Sequence, residues 1–155
     1  MSRWKAAAIH LSISFAIGLI VGALLLFVWY PRPFFHAAGA DELVLLLVGV
    51  DLVLGPLLTL ILFRSGKWGL KFDLAMIAIL QSAALIYGLS IVLKARPVFL
   101  VAVVDRFSLI SANDLDPADL AKGSQPEFRS LSLTGPRLVG ARIPSTWQER
   151  NKVLF

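Results

Sequence analysis

The chain has 155 residues, of which 57% are hydrophobic and 16% are charged, with a formal net charge of +5 at pH 7. Soluble domains carry about a quarter charged residues, so this composition indicates a membrane protein. The basic residues are dispersed, and those near candidate spans are explained by membrane topology rather than by nucleic acid. The lack of cysteine excludes disulfides, thiolate metal sites and thiol catalysis, and His10 and His36 have no metal-ligand spacing. We therefore expect neither a metal nor a cofactor.

The first predicted span covers residues 6–30, which follow Arg3 and Lys5 and include no Asp, Glu, Lys or Arg. At 1.5 Å per residue this run crosses a core of about 30 Å. Aromatic residues stand at both ends of the run, as membrane interfaces favour. A cleaved signal peptide is the alternative, with residues 38–40 as the cleavage site, but the run exceeds a signal peptide's apolar region of about 7–15 residues.

Small and polar residues recur every four positions along this span, at His10, Ser14, Gly18 and Gly22. Residues at this spacing share one helix face, and Gly18 with Gly22 forms the GxxxG pattern of close helix packing. The partner of that face is either another helix of this chain or a helix of a foreign protein. Both alternatives are open at the level of sequence.

The second predicted span, residues 43–63, contains one carboxylate, Asp51. Burying a charge in the bilayer costs between about 3 and more than 10 kcal/mol, so Asp51 is expected to face protein or water. Gly55 and Thr59 follow at four-residue intervals and share its face. Pro56 predicts a kink within a turn of Asp51. This face is predicted to form a polar pocket.

The third predicted span, residues 72–93, contains Gln81 and Ser82. One interpretation of Asp51 is that it hydrogen-bonds one of these two side chains within the same molecule. The other interpretation is functional, since an ionisable residue inside the membrane commonly marks a functional site.

Basic residues near the ends of the spans predict how the three spans are oriented in the membrane. One end of the predicted bundle carries Arg3, Lys5, Arg64, Lys67 and Lys71. The first loop, on the opposite side, carries Arg32. The positive-inside rule then places the N-terminus in the cytoplasm and the C-terminal tail on the exported side. The chain is thus divided into a three-helix transmembrane domain, residues 1–96, and an exported α+β tail, residues 97–155.

Within the tail, residues 98–104 and 107–110 predict two strands separated by Asp105 and Arg106. A short helix through Leu120 is predicted to start at Asn113 or Asp114. Residues 128–133 and 137–143 are weaker strand candidates. A tail of roughly 60 residues is small for an independent core, so we expect it to be incomplete or to need a partner.

Several stretches together resemble one family. These stretches are MSRWKAA at the start, FVWYP closing the first span, VGVDLVLGPLLT around Asp51, KFDLA opening the third span and ARPVFLVAVVDRF leading into the tail. In this order they resemble the TfpX/TfpZ type IV pilin accessory proteins of bacterial inner membranes. The resemblance covers residues 1–107, and members of this family often have longer tails.

The resemblance implies a non-catalytic role in which the protein helps a cognate major pilin to reach or leave the pilus assembly machinery. The expected partners are that pilin, the assembly machinery and membrane lipids. The pilin's membrane helix is expected to contact Asp51, with close approach at either the Gly18 and Gly22 face or the Gly55 and Thr59 face, while the tail contacts the pilin head. Secondary candidate residues are Gln81, Asp105 and Arg106.

The sequence also raises three other possible functions. An intramembrane aspartyl protease needs two carboxylates that share a proton, whereas Asp51 alone lies deep and Gly49-Val50-Asp51 lacks a glycine of the GxGD signature. A proton- or solute-conducting protein would use Asp51 as its titrating group, but three helices offer it no further deep charge. The membrane part could instead serve as a passive anchor for an exported binding module.

Overall fold

The computed structural model describes residues 2–103, 106–123 and 125–140. It contains three long apolar helices followed by a small α+β region with a three-stranded sheet, which confirms the predicted fold class. All three helices are long and apolar enough to cross a membrane.

The first helix, α1, runs from Arg3 to Leu24 and continues as a π-helical turn over Leu25–Trp29. Ser2 caps it, because its side chain accepts a hydrogen bond from the backbone N–H of Lys5 at 3.3 Å. A short helix, α2, follows at Phe34–Ala37, within the segment that the sequence predicted to be a loop.

The second long helix, α3, covers Ala40–Leu62 and passes through Pro56 without interruption. It begins three residues before the predicted span, and its first turn contains Asp41 and Glu42. Acidic side chains there interact favourably with the positive end of the helix dipole. The third long helix, α4, covers Leu70–Lys94.

Helix α3 packs against both α1 and α4. The buried core lies at the end of the bundle where α1 ends and α3 begins. It comprises Val21, Leu25, Tyr30, Phe35, Ala40 and Val92. Elsewhere large apolar side chains are exposed, such as Leu45 at 76% and Ile20 at 70%. Because lipid tails are as apolar as these side chains, this surface suits a bilayer.

The sheet consists of β1 (Pro97–Val103), β2 (Arg106–Ser111) and β3 (Arg137–Gly140) in the order β2-β1-β3. Strands β1 and β2 are antiparallel, and β1 and β3 are parallel. Leu100 in the centre of the sheet pairs with Leu109 on one side and Leu138 on the other. One face packs onto a core built around Val98, Phe99 and Ala112.

Two predictions for this region are wrong. Asn113 and Asp114 lie in a 3-10 turn, and the short helix α5 (Pro117–Leu120) is capped by Asp116, which accepts from the N–H of Ala118 at 2.8 Å. Pro117 explains the shift, since proline favours the first position of a helix. Residues 128–133 form no strand, and a 3-10 turn covers Pro126–Arg129 instead. Of the fourth predicted strand, residues 141–143 lie outside the described residues.

Candidate functional site

The candidate site is centred on Asp51, which lies half-buried on the side of α3 that faces α4. The side-chain nitrogen of Gln81 on α4 donates to the backbone oxygen of Asp51 at 3.3 Å and approaches its Oδ1 at 3.5 Å. The second distance is at the limit of a hydrogen bond. Oδ2 accepts no hydrogen bond from the described part of the chain. Of the two internal partners considered, Gln81 makes the contact, whereas Ser82 is exposed.

Gly55 and Thr59 share the Asp51 face as predicted, and both are buried. A Cβ atom at Gly55 would overlap the amide group of Gln81, so the glycine allows α4 to approach. Thr59 is 2% exposed, and its Oγ1 lies 2.6 Å from Nδ1 of His10 on α1. The polar face of α3 is therefore occupied largely by this chain's own helices.

The residues at four-residue spacing on α1 differ in their surroundings: some pack within the bundle and one has open space beside it. His10 and Ser14 face the bundle, and Ser14 is 6% exposed. A Cβ atom at Gly18 would lie 2.8 Å from Cγ1 of Val48 on α3, so this glycine permits close packing within the chain. A Cβ at Gly22 would meet no atom within 4 Å in the part of the chain that the structure describes. Of the two glycines, Gly22 has space for a further helix.

A groove of about 310 Å³ opens beside this polar face. Its lining comes from all three long helices and comprises Ala6, Ile9, His10, Ile13, Thr59, Phe63, Leu74 and Ala78. Ala78 and Gln81 are three residues apart on α4 and so lie on the same face. Neither Gln81 nor Asp51 lines the groove, which ends at Ala78, about one helical turn from Gln81.

The site offers hydrogen-bond acceptors and one carboxylate. Within residues 2–103, 106–123 and 125–140, no group of three or more His, Asp or Glu side chains is placed to hold a metal ion. The two ion pairs of the membrane part lie at its ends: His36 with Asp41 at 3.0 Å, and Lys67 with Asp73 at 2.5 Å. The arrangement is suited to binding a polar or charged group.

The junction between bundle and sheet contains a buried residue that sequence reasoning did not select, Arg96. It is 7% exposed, and it donates from Nε to the Ser132 carbonyl at 2.9 Å and from Nη1 to the Leu93 carbonyl at 2.6 Å. Burial lowers the pKa of Arg96 below its usual range, and the nearby Tyr30 opposes that shift. In the sequence, Arg96 could have been recognised as a charged residue that lies directly between a predicted membrane span and a predicted strand.

Two further contacts hold the junction. Tyr30 is fully buried, and its hydroxyl donates to the Val92 carbonyl at 2.8 Å. Gly135 has a φ of 91°, and a Cβ there would lie 2.6 Å from Cγ of Pro31. Both features favour one orientation of the sheet on the bundle.

The two secondary candidates in the tail have different outcomes. Arg106 is exposed and starts β2 opposite Val103. Asp105 lies outside the described residues.

Comparison with known proteins identifies the family. The model of the fimbrial assembly protein FimB family matches residues 1–39. A fimbrial assembly protein of serogroups C1 and C2 from Dichelobacter nodosus is 36% identical over 114 residues, which are 72% of this chain and 86% of that relative. The chain belongs to this family of fimbrial assembly proteins.

Two longer relatives from Dichelobacter nodosus align along nearly the whole chain. The fimbrial assembly protein of serogroup E1 is 35% identical and that of serogroup I is 34% identical, each over 151 residues or 96% of this chain. The chain spans 58% of the length of both. No solved structure matches it with significance. The family is one of fimbrial assembly proteins, and three helices of this chain are long and apolar enough to cross a membrane, as in a multi-pass membrane protein.

Proposed function

We propose that this protein is a TfpX/TfpZ-type accessory protein of the bacterial inner membrane that assists assembly of a cognate type IV major pilin. In this role it binds the membrane helix of the pilin through the bundle and the pilin head through the tail, without catalysing a reaction. Membership of a fimbrial assembly family and three helices of spanning length support this proposal.

The observation that carries the proposal is the incomplete pairing of Asp51. Its Oδ1 has one long contact, to Gln81, and its Oδ2 accepts no hydrogen bond within the described residues. A carboxylate at this depth is costly unless a partner satisfies it. A polar or basic group on a pilin helix would supply that partner, and the low dielectric would make the contact strong enough to select among pilins.

The structure suggests separate tasks for the glycine and threonine residues. Gly18, Gly55 and Thr59 shape the bundle by their contacts with Val48, Gln81 and His10. Gly22 has open space beside it, and the groove near His10 and Thr59 ends at Ala78, about one helical turn from Gln81. We assign the pilin helix to this groove, with Gly22 as a further point of close approach.

The proposed topology places the N-terminus in the cytoplasm and the tail in the periplasm. It is based on the excess of Lys and Arg at the end where α1 begins. Arg96 would then hold the sheet at a fixed orientation above the membrane, so that helix and head of one pilin could be bound together. A reporter inserted after Ser65 should be active in the cytoplasm, and one fused after Gly140 in the periplasm; the reverse pattern contradicts the topology.

A second candidate function is a passive anchor for a binding module in the tail. The contact of Gln81 with Asp51 favours it, since an internal partner gives Asp51 a structural role. Replacing the three helices by an unrelated three-span anchor separates the two. A passive anchor predicts normal piliation, whereas a pilin-binding bundle predicts its loss.

Photocrosslinking in living cells tests the proposed site. Gly55 is buried against Gln81, so a photoreactive residue is better placed at Ala78, which lines the groove. The matched control is Ala83, which is exposed on α4 about 140° around the helix from Ala78. A pilin adduct from position 78 that is much weaker from position 83 supports the proposal. Equal adducts, or none from position 78, contradict it.

A further inference from the structure

A second groove lies on the opposite side of the seam between α1 and α3. Its volume is about 400 Å³. Its walls include Trp4, Ala8 and Leu11 from α1 and Pro56, Leu57 and Leu60 from α3. From Trp4 to Leu11 it extends about 10 Å along the helix, which is about a third of the hydrocarbon core. The lining is apolar throughout, and the exposed Trp4 marks its outer end.

This groove opens at the strongly basic end of the bundle, where α1 begins and α3 ends. The basic side chains there are all exposed: Arg3, Lys5, Arg64, Lys67 and Lys71. Asp73 is the acidic residue found at this end within the described ranges, and Lys67 pairs with it at 2.5 Å. Four positive side chains therefore lack an acidic partner in the described part of the chain.

Two of these four lie four residues in sequence from a residue that lines the groove. Arg3 precedes the groove residue Ala7 by four positions, so it lies on the same face of α1 one turn nearer the helix start. Arg64 follows Leu60 by four positions, just beyond the end of α3. The apolar groove thus opens at the end of the bundle where α1 begins and α3 ends, and both chain segments there carry an exposed arginine. Guanidinium groups bind phosphate well.

We propose that this groove binds an anionic phospholipid, with an acyl chain against Ala8, Leu11 and Leu57 and the phosphate headgroup held by Arg3 and Arg64. Charge complementarity favours this occupant over a second protein helix, because a helix would leave the two arginines unpaired. The site is separate from the groove that contains His10 and Thr59, and it does not depend on the proposed pilin contact. It acts as an attachment point that selects acidic lipid around the bundle.

Fluorescence quenching at Trp4 tests the proposal on the full chain. Trp29, Trp68 and Trp147 are changed to Phe, so that Trp4 is the remaining emitter. The protein is reconstituted in phosphatidylcholine vesicles that contain a minor fraction of brominated phosphatidylglycerol or brominated phosphatidylcholine. We expect stronger quenching by the anionic lipid, with about a fivefold preference for each basic contact near the surface.

The matched variants distinguish a defined lipid site from a general attraction between the basic end of the bundle and anionic lipid. Arg3→Gln with Arg64→Gln should remove most of the preference, and Ala8→Phe should lower it by filling the groove. Lys71→Gln, which removes a charge at the same end on α4, and Ala16→Phe, which adds bulk to an exposed part of α1, should leave it unchanged. Equal quenching by the two lipids in the parent protein, or an equal loss in Lys71→Gln, would overturn the assignment.

Discussion

Nε2 of Gln81 lies 3.3 Å from the backbone oxygen of Asp51 and 3.5 Å from its carboxylate, so one amide joins α3 and α4 beside the deepest charge in the bundle. Both distances exceed the usual range of about 2.7–3.2 Å for an N–H···O hydrogen bond, and the contact to the carboxylate is the longer of the two. The internal contact thus engages one carboxylate oxygen of Asp51, and the other accepts no hydrogen bond within the described structure.

Asp51→Asn should preserve the bundle and weaken pilin binding. The amide oxygen can still accept from Gln81, so the membrane abundance of the variant should match that of the parent. Loss of the charge should reduce co-purification of the major pilin by about tenfold or more. Ser82→Ala, at similar depth but exposed, is the control and should change neither quantity. Undiminished pilin recovery with Asp51→Asn would remove Asp51 from the site.

Gly55→Ala should destabilise the bundle, because the new methyl group would overlap the side-chain amide of Gln81. Overpacking of this kind costs about 1–3 kcal/mol in the free energy of unfolding, measured by denaturation in detergent micelles. Gly49→Ala is the matched control, since a Cβ there meets no atom within 4 Å. Adding Gln81→Ala to Gly55→Ala should recover part of the loss. Equal effects of the two alanine substitutions would contradict the close approach at Gly55.

The bond between His10 and Thr59 should contribute a modest coupling energy between α1 and α3. Thr59→Val keeps the shape of the side chain and removes the hydroxyl. A double-mutant cycle with His10→Ala should give about 0.6 kcal/mol, the average for hydrogen bonds between membrane helices. Ser12→Ala, whose hydroxyl bonds within its own helix, serves as the control and should show no coupling with Thr59→Val. A coupling indistinguishable from zero would argue against the contact.

Arg96→Met should release the sheet from the bundle while the helices stay intact. The substitution keeps much of the apolar stem but leaves the carbonyls of Ser132 and Leu93 without their donor. Each hydrogen bond to a charged group contributes about 1.5–3 kcal/mol, so limited proteolysis should cut the tail much faster. Lys122→Gln, which breaks an exposed pair with Asp119, should leave the rate unchanged. Parent-like protection of the Arg96→Met tail would show that Arg96 does not hold the junction.

The sequence predicted those features that depend on a single helix or strand. The length of each apolar run predicted the three helices, and the four-residue spacing placed Asp51, Gly55 and Thr59 on one face. The sequence offered Gln81 or Ser82 as an internal partner of Asp51 without choosing between them, and it did not place His10 against Thr59. The choice of a packing partner depends on how separate helices meet. Arg96 was missed for the same reason, since its acceptor Ser132 lies 36 positions away.

The two errors in the tail have different causes, one local and one tertiary. The predicted helix start at Asn113 or Asp114 is wrong because Asp116 followed by Pro117 forms a better start. Residues 128–133 were apolar enough to suggest a strand, yet Phe128 packs edge-on against Phe99 with ring centres 6.2 Å apart. That contact belongs to the tertiary core rather than to a strand ladder.

Above all, we propose that a pilin helix bound in the groove lined by His10 and Thr59 continues past Ala78 to reach Asp51. The most direct test of this proposal is the yield of pilin crosslinked from a photoreactive residue at position 78, measured in living cells for the parent and for Asp51→Asn at equal abundance. We expect a clear pilin adduct in the parent, and a yield about tenfold lower when Asp51→Asn removes the carboxylate. An adduct of equal yield in both proteins, or none in the parent, would contradict it.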